Sequence, residues 1–78
     1  MDADYLVKMA NQIGAFFHGE SAPGQAPADI AGHIERFWDK RMKAAIVAHF
    51  AAGGDGLEPA VRGAVEIIAR AQTAKAAS

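Results

Sequence analysis

The sequence predicts a small all-α protein, an antiparallel bundle of about four helices in a single domain spanning residues 1–78. Two observations predict this fold class. Apolar residues recur at helical spacing in four segments, and stretches that contain glycine or proline interrupt the chain between them. No segment shows the alternation of apolar and polar residues that indicates a strand. Short connections between amphipathic helices favour antiparallel neighbours.

The first helix is predicted from about Asp4 to His18. At about 100° per residue, a single apolar face carries Tyr5, Leu6, Met9, Ala10, Ile13, Phe16 and Phe17. Asn11 falls on the opposite, polar side, and Val7 is an apolar exception there. Residues 19–28 follow as a flexible loop, because they combine prolines and glycines without periodicity.

The second helix is predicted to open at Ala28 or Asp29 and to end at Trp38. Its apolar stripe comprises Ile30, Ile34, Phe37 and Trp38. A break is predicted between Trp38 and Asp39, because a short carboxylate can accept hydrogen bonds from the free N–H groups of a new helix. A continuous helix over residues 29–51 is the alternative.

The third helix is predicted over residues 40–51, and the fourth over Pro59 to about Thr73. The apolar face of the third carries Met42, Ala45, Ile46, His49 and Phe50. Glycines at positions 53, 54 and 56 suit a helix C-cap and a tight reversal, and proline suits the first turn of the next helix. Residues 74–78 are expected to form a frayed tail.

Composition excludes several classes of function. The 78 residues include no cysteine, so disulfides, thiolate-ligated clusters and thiol catalysis are excluded. A net charge of −1 gives no general attraction to nucleic acid or anionic lipid. No apolar run is long enough for a membrane span, and the acidic N-terminus does not resemble a secretory signal. We therefore expect a cytoplasmic protein that does not bind membranes.

The side chains that carry chemistry do not form a catalytic or metal-binding pattern. The only serines, Ser21 and Ser78, lack a nearby His–carboxylate pair that could activate them. The histidines lack ligand partners at helical spacing, and His49 is predicted to be a hydrogen-bonded histidine in or near the core. The sequence thus predicts no catalytic residue, no metal ligand and no bound cofactor.

Residues 33–42 form the most distinctive segment of the chain. They hold the only tryptophan, the adjacent pair Phe37–Trp38 and the densest group of basic residues. Trp and Arg are enriched where proteins contact one another. We expect Trp38 to lie at the rim of its stripe, only partly enclosed, which favours a docking surface. The alternative is that Trp38 merely packs over one end of the bundle.

A second functional alternative is a stand-alone regulatory module that binds nucleic acid. Its binding residues would be Arg36, Lys40, Arg41 and Lys43. Glu35 and Asp39 lie among these residues and offset their charge, and no second basic face supports them. Docking to a protein is therefore the preferred interpretation. A core this small is marginal in stability, which also favours a partner or self-association of the isolated chain.

Several motifs together resemble the delta subunit of NAD-dependent formate dehydrogenases. The first is Asn-Gln-Ile-x-x-Phe-Phe at residues 11–17, and the second is Phe-Trp-x-x-Arg-Met at residues 37–42. The third is His49 followed by the glycine run and Pro59. The resemblance extends from Leu6 to about Ile68. Lys40 and Glu58 depart from the family pattern, in which helix starts are sharper.

The resemblance implies a small accessory subunit without cofactors. Its expected partners are the large subunits of a formate dehydrogenase, most of all the alpha chain that bears the molybdenum or tungsten pterin. Its expected role is to support assembly or integrity of that complex. The residues predicted to bind the partner are Asn11, Gln12, Phe37, Trp38, Arg41 and Met42.

Overall fold

The computed structural model describes residues 2–77, with side chains as far as residue 75. The described chain forms four α-helices: α1 (Ala3–Glu20), α2 (Ala26–Phe37), α3 (Lys40–Ala51) and α4 (Pro59–Ala77). No strand occurs within residues 2–77. The predicted all-α bundle is confirmed.

Side-chain caps explain where helices begin. Asp39 accepts a hydrogen bond from the Met42 N–H at 2.9 Å, while Trp38 has an extended backbone with φ −89° and ψ 141°. This geometry confirms the predicted break and rules out a continuous helix over residues 29–51. Asp2 caps α1 in the same way, accepting from the Asp4 N–H at 3.0 Å.

The predicted bounds of the first loop and the predicted end of the fourth helix were wrong. The first loop covers residues 21–25 instead of 19–28, because Pro27 occupies the first turn of α2, where proline is tolerated. Helix α4 continues to Ala77 instead of ending near Thr73, as expected for a segment rich in alanine. Ser78 lies outside the described residues.

The core lies between α2 and α4, which share the largest helix–helix interface, with α1 and α3 packed around them. Its fully buried large side chains are Leu6, Ile30, Ile34, Ile46, Val61, Val65 and Ile68. Helix α1 approaches α4 closely at Gly14, where an added Cβ would lie 2.5 Å from Cγ2 of Val61. Val7, predicted on the polar side, is in fact buried, because the chain between α3 and α4 covers it near Gly56.

Candidate docking site

An open groove lies where α1, α2 and the corner between α2 and α3 meet. It offers about 560 Å³ of space and is hereafter called the aromatic groove. Its lining residues are Met9, Gln12, Ile13, Phe16, Phe17, His33, Phe37, Trp38 and Met42. Most of them are apolar or aromatic, which is typical of a surface that contacts another molecule.

A row of ring contacts crosses from α1 to α2 along the aromatic groove. The centroids of Phe16 and Phe17 are 5.1 Å apart in an edge-to-face arrangement. Phe17 contacts His33 at 6.1 Å, and His33 contacts Phe37 at 4.7 Å. These distances lie in the range where aromatic pairs attract one another. The row therefore favours these relative positions of the rings.

The two outer rings of this row face solvent. Phe16 is 63% exposed and Phe37 is 69% exposed, although the helical projection placed both on core-facing stripes. Tyr5 also proved exposed, on the same side of α1. The bundle is too small to cover every residue on such wide apolar faces. Large exposed apolar side chains that lie together mark a contact surface more strongly than scattered ones do.

Trp38 forms the floor of the aromatic groove and not its rim. It is only 6% exposed, so the expectation of a partly enclosed ring is wrong. The chain reverses at this residue, and side chains of α1, α2 and α3 therefore surround the indole. Its neighbour Phe37 ends α2 with its ring outside the core. The exposed aromatic of this pair is Phe37.

The six residues predicted to bind a partner do not all share this surface. Gln12, Phe37, Trp38 and Met42 line the aromatic groove. Arg41 is exposed and immediately precedes Met42 on α3. Asn11 is not a lining residue of the aromatic groove.

Asn11 instead holds the segment between α3 and α4, residues 52–58, hereafter called the clamped loop. Its Nδ2 donates to the Gly56 carbonyl at 2.9 Å, and its Oδ1 accepts from the Glu58 N–H at 3.1 Å. Both hydrogen bonds engage its amide with backbone more than forty residues away, which gives Asn11 a structural role in α1-to-loop packing.

Two further side chains support the clamped loop. Arg62 donates from Nη2 to the Gly54 carbonyl at 2.9 Å, and His49 Nε2 donates to the Asp55 carbonyl at 2.7 Å. The second contact confirms the prediction of a hydrogen-bonded histidine near the core. Gly54 has φ +66°, which glycine adopts without strain, and its N–H donates to the His49 carbonyl.

The basic residues that the sequence groups together do not all lie on the same side of α3. Lys43 pairs with Glu35 at 3.1 Å, and both border a second cleft together with Lys40. On the helical projection, Arg41 and Lys43 lie about 100° to either side of Met42. Arg41 therefore lies on the other side of Met42 from Lys43, and it is not among the residues that line the aromatic groove.

Five lining residues of the aromatic groove were missed as candidate site residues: Met9, Ile13, Phe16, Phe17 and His33. Three of them, Ile13, Phe16 and Phe17, stood in the first motif that carried the family resemblance, which is the signal that could have identified them. The apolar periodicity of α1 could not have identified Phe16, because it placed this residue on the core face. Within residues 2–77, no group of three or more potential ligand side chains is arranged to hold a metal ion.

One family of known proteins matches the part of the chain that contains this whole surface. In the described part of the chain, no helix is long and apolar enough to cross a membrane. No similar curated protein and no similar solved structure was found. A family model described as the NADH-dependent formate dehydrogenase delta subunit FdsD matches residues 5–65. The match includes every residue that lines the aromatic groove, and the clamped loop.

Proposed function

The chain belongs to the family of NADH-dependent formate dehydrogenase delta subunits, and from this premise we propose that it is a non-catalytic accessory subunit. It docks on a large, cofactor-bearing subunit of the enzyme and supports assembly or stability of the complex. It binds no cofactor itself. The observation that carries the proposal is the aromatic groove, whose rings at Phe16 and Phe37 are exposed in the isolated chain.

The energetics of burial favour this surface as the docking face. Fully burying an exposed Phe side chain contributes at most about 1.5–3 kcal/mol, so two such rings supply a part of the free energy that a stable complex requires. The ring contacts through Phe17 and His33 favour this arrangement of the rings before binding. A prearranged surface loses less conformational entropy on association.

Association of the Phe37→Ser variant with the large subunits tests the docking face. We expect Phe37→Ser to weaken binding about 10- to 100-fold, as loss of an interface aromatic does. Ile67→Ser is the matched control, because Ile67 is also exposed but lies on α4, away from the aromatic groove. Equal affinity of Phe37→Ser and the unmodified chain, with circular dichroism showing both folded, would contradict the proposed face.

A second experiment tests the accessory role itself. The large subunits are produced with and without this chain, and the yield of assembled complex and the rate of formate oxidation per bound cofactor are measured. We expect a lower yield without the chain and an unchanged rate in the complex that does assemble. Formate oxidation by the purified chain alone would refute a non-catalytic role.

A further inference from the structure

The charges around the aromatic groove are unevenly distributed. Arg36 lies one residue before Phe37 and one helical turn after His33, and Arg41 lies beside Met42. Both arginines are exposed, and within residues 2–77 neither forms an ion pair or a side-chain hydrogen bond. The corner between α2 and α3 thus presents two arginines without ion-pair partners next to exposed apolar surface.

The two acidic residues closest to this corner along the chain, Glu35 and Asp39, both have partners. Glu35 pairs with Lys43 at 3.1 Å, on the side of the second cleft. Asp39 accepts the Met42 N–H at 2.9 Å, as the cap of α3. Neither carboxylate forms an ion pair with Arg36 or Arg41. The guanidinium groups of Arg36 and Arg41 are therefore available to a partner.

The opposite end of the aromatic groove carries the reverse charge. Contacts between α1 and α2 run from Ser21–Asp29 to Phe17–His33, so the two helices are antiparallel. Glu20 lies one turn beyond Phe16 on α1, and Asp29 one turn before His33. Asp29 and Arg36 are about 10 Å apart along α2, comparable with the Debye length at physiological salt. A charged group on a bound segment therefore interacts mainly with the nearer of the two ends.

We infer that the aromatic groove receives a segment of a larger subunit that places apolar side chains against Phe16 and Phe37 and carboxylates over Arg36 and Arg41. The inference rests on the proposed function and specifies the partner's chemistry. The apolar contacts supply affinity, and the charges orient the segment and speed its association. Carboxylates at the arginine end also keep the segment's negative charge away from Glu20 and Asp29.

The test compares two neighbouring charge reversals, Arg41→Glu and Lys40→Glu. Both change the charge by the same amount in the first turn of α3, but Lys40 borders the second cleft. Association rates with the purified large subunits are measured at low and high ionic strength. We expect Arg41→Glu to slow association about 10-fold at low salt, with the difference vanishing near 1 M salt. Lys40→Glu should stay within about twofold of the unmodified chain.

Arg36→Glu provides an independent second variant with the same expected effect as Arg41→Glu. If both arginine variants associate at the unmodified rate while Phe37→Ser loses binding, the inference is wrong and the proposed docking face stands. If Phe37→Ser also binds normally, the docking face itself is wrong. Faster association of the arginine variants would show a basic partner. A dimer of the isolated chain that Arg41→Glu dissociates would identify a second copy as the occupant, also against the inference.

Discussion

The two sides of α1 differ in whether the rest of the chain binds or covers their side chains. On one side, Asn11 makes hydrogen bonds at both ends of its amide, to Gly56 and Glu58 of the clamped loop. On the other, Phe16 remains 63% exposed in a groove of aromatic side chains that no other part of the described chain covers. The first surface is completed within the protein, whereas the second is suited to a partner. Under the proposed function, α1 serves folding on one face and docking on another.

The largest expected difference in stability lies within the aromatic groove, between the ring at its floor and the ring at its rim. Trp38→Ala removes a ring that is 6% exposed, and we expect a loss of about 3–5 kcal/mol in the free energy of unfolding. Phe37→Ala removes a ring that is 69% exposed and contacts only His33 in the row, and it should cost about 1 kcal/mol. Urea unfolding followed by circular dichroism measures both. Equal losses in the free energy of unfolding would contradict the assignment of Trp38 to the core and of Phe37 to the surface.

The next largest effect is expected at the clamped loop. Asn11→Ala leaves the Gly56 carbonyl and the Glu58 N–H without their side-chain partner, which should cost about 1–3 kcal/mol. Gln12→Ala is the matched control on the adjacent residue, with an expected change within about 0.5 kcal/mol. Thermal unfolding of the two variants distinguishes them. An unaltered stability for Asn11→Ala would remove the structural role assigned to this amide.

The smallest effect is expected at the corner that joins the aromatic groove to α3. Asp39→Ala removes the acceptor for the Met42 N–H and should destabilise the protein by about 1 kcal/mol. Asp39→Ser should recover most of this loss, since a hydroxyl also accepts at an N-cap. Failure of serine to restore stability would mean that the carboxylate acts through its charge and not through capping.

The helices were largely predictable because their signals are local. Asp39 as a cap and Pro59 in a first turn are visible within a few residues of the helix starts they specify. The helical pattern also identified most of the core. The bounds of α1 and α4 shifted, since the ends of helices depend on weak propensities and tolerate residues such as Gly19.

The candidate site was less predictable because it depends on contacts between distant residues. The helical projection treats Phe37 and Trp38 alike, but the backbone turns at Trp38 and buries only that ring. It also places Asn11 on a polar face without revealing the loop that the amide binds, 45 residues further along the chain. Which aromatic residues face solvent is decided by how the four helices assemble.

Hydroxyl-radical labelling of the chain, free and assembled with the large subunits, tests the docking face most directly. In the free chain we expect Phe16, Phe37 and Ile67 to be labelled, and Trp38 to be protected in both states. On assembly, the two Phe side chains should become protected while labelling of Ile67 persists. Protection of Ile67 with continued labelling of Phe16 and Phe37 would contradict the assignment of the aromatic groove as the docking face.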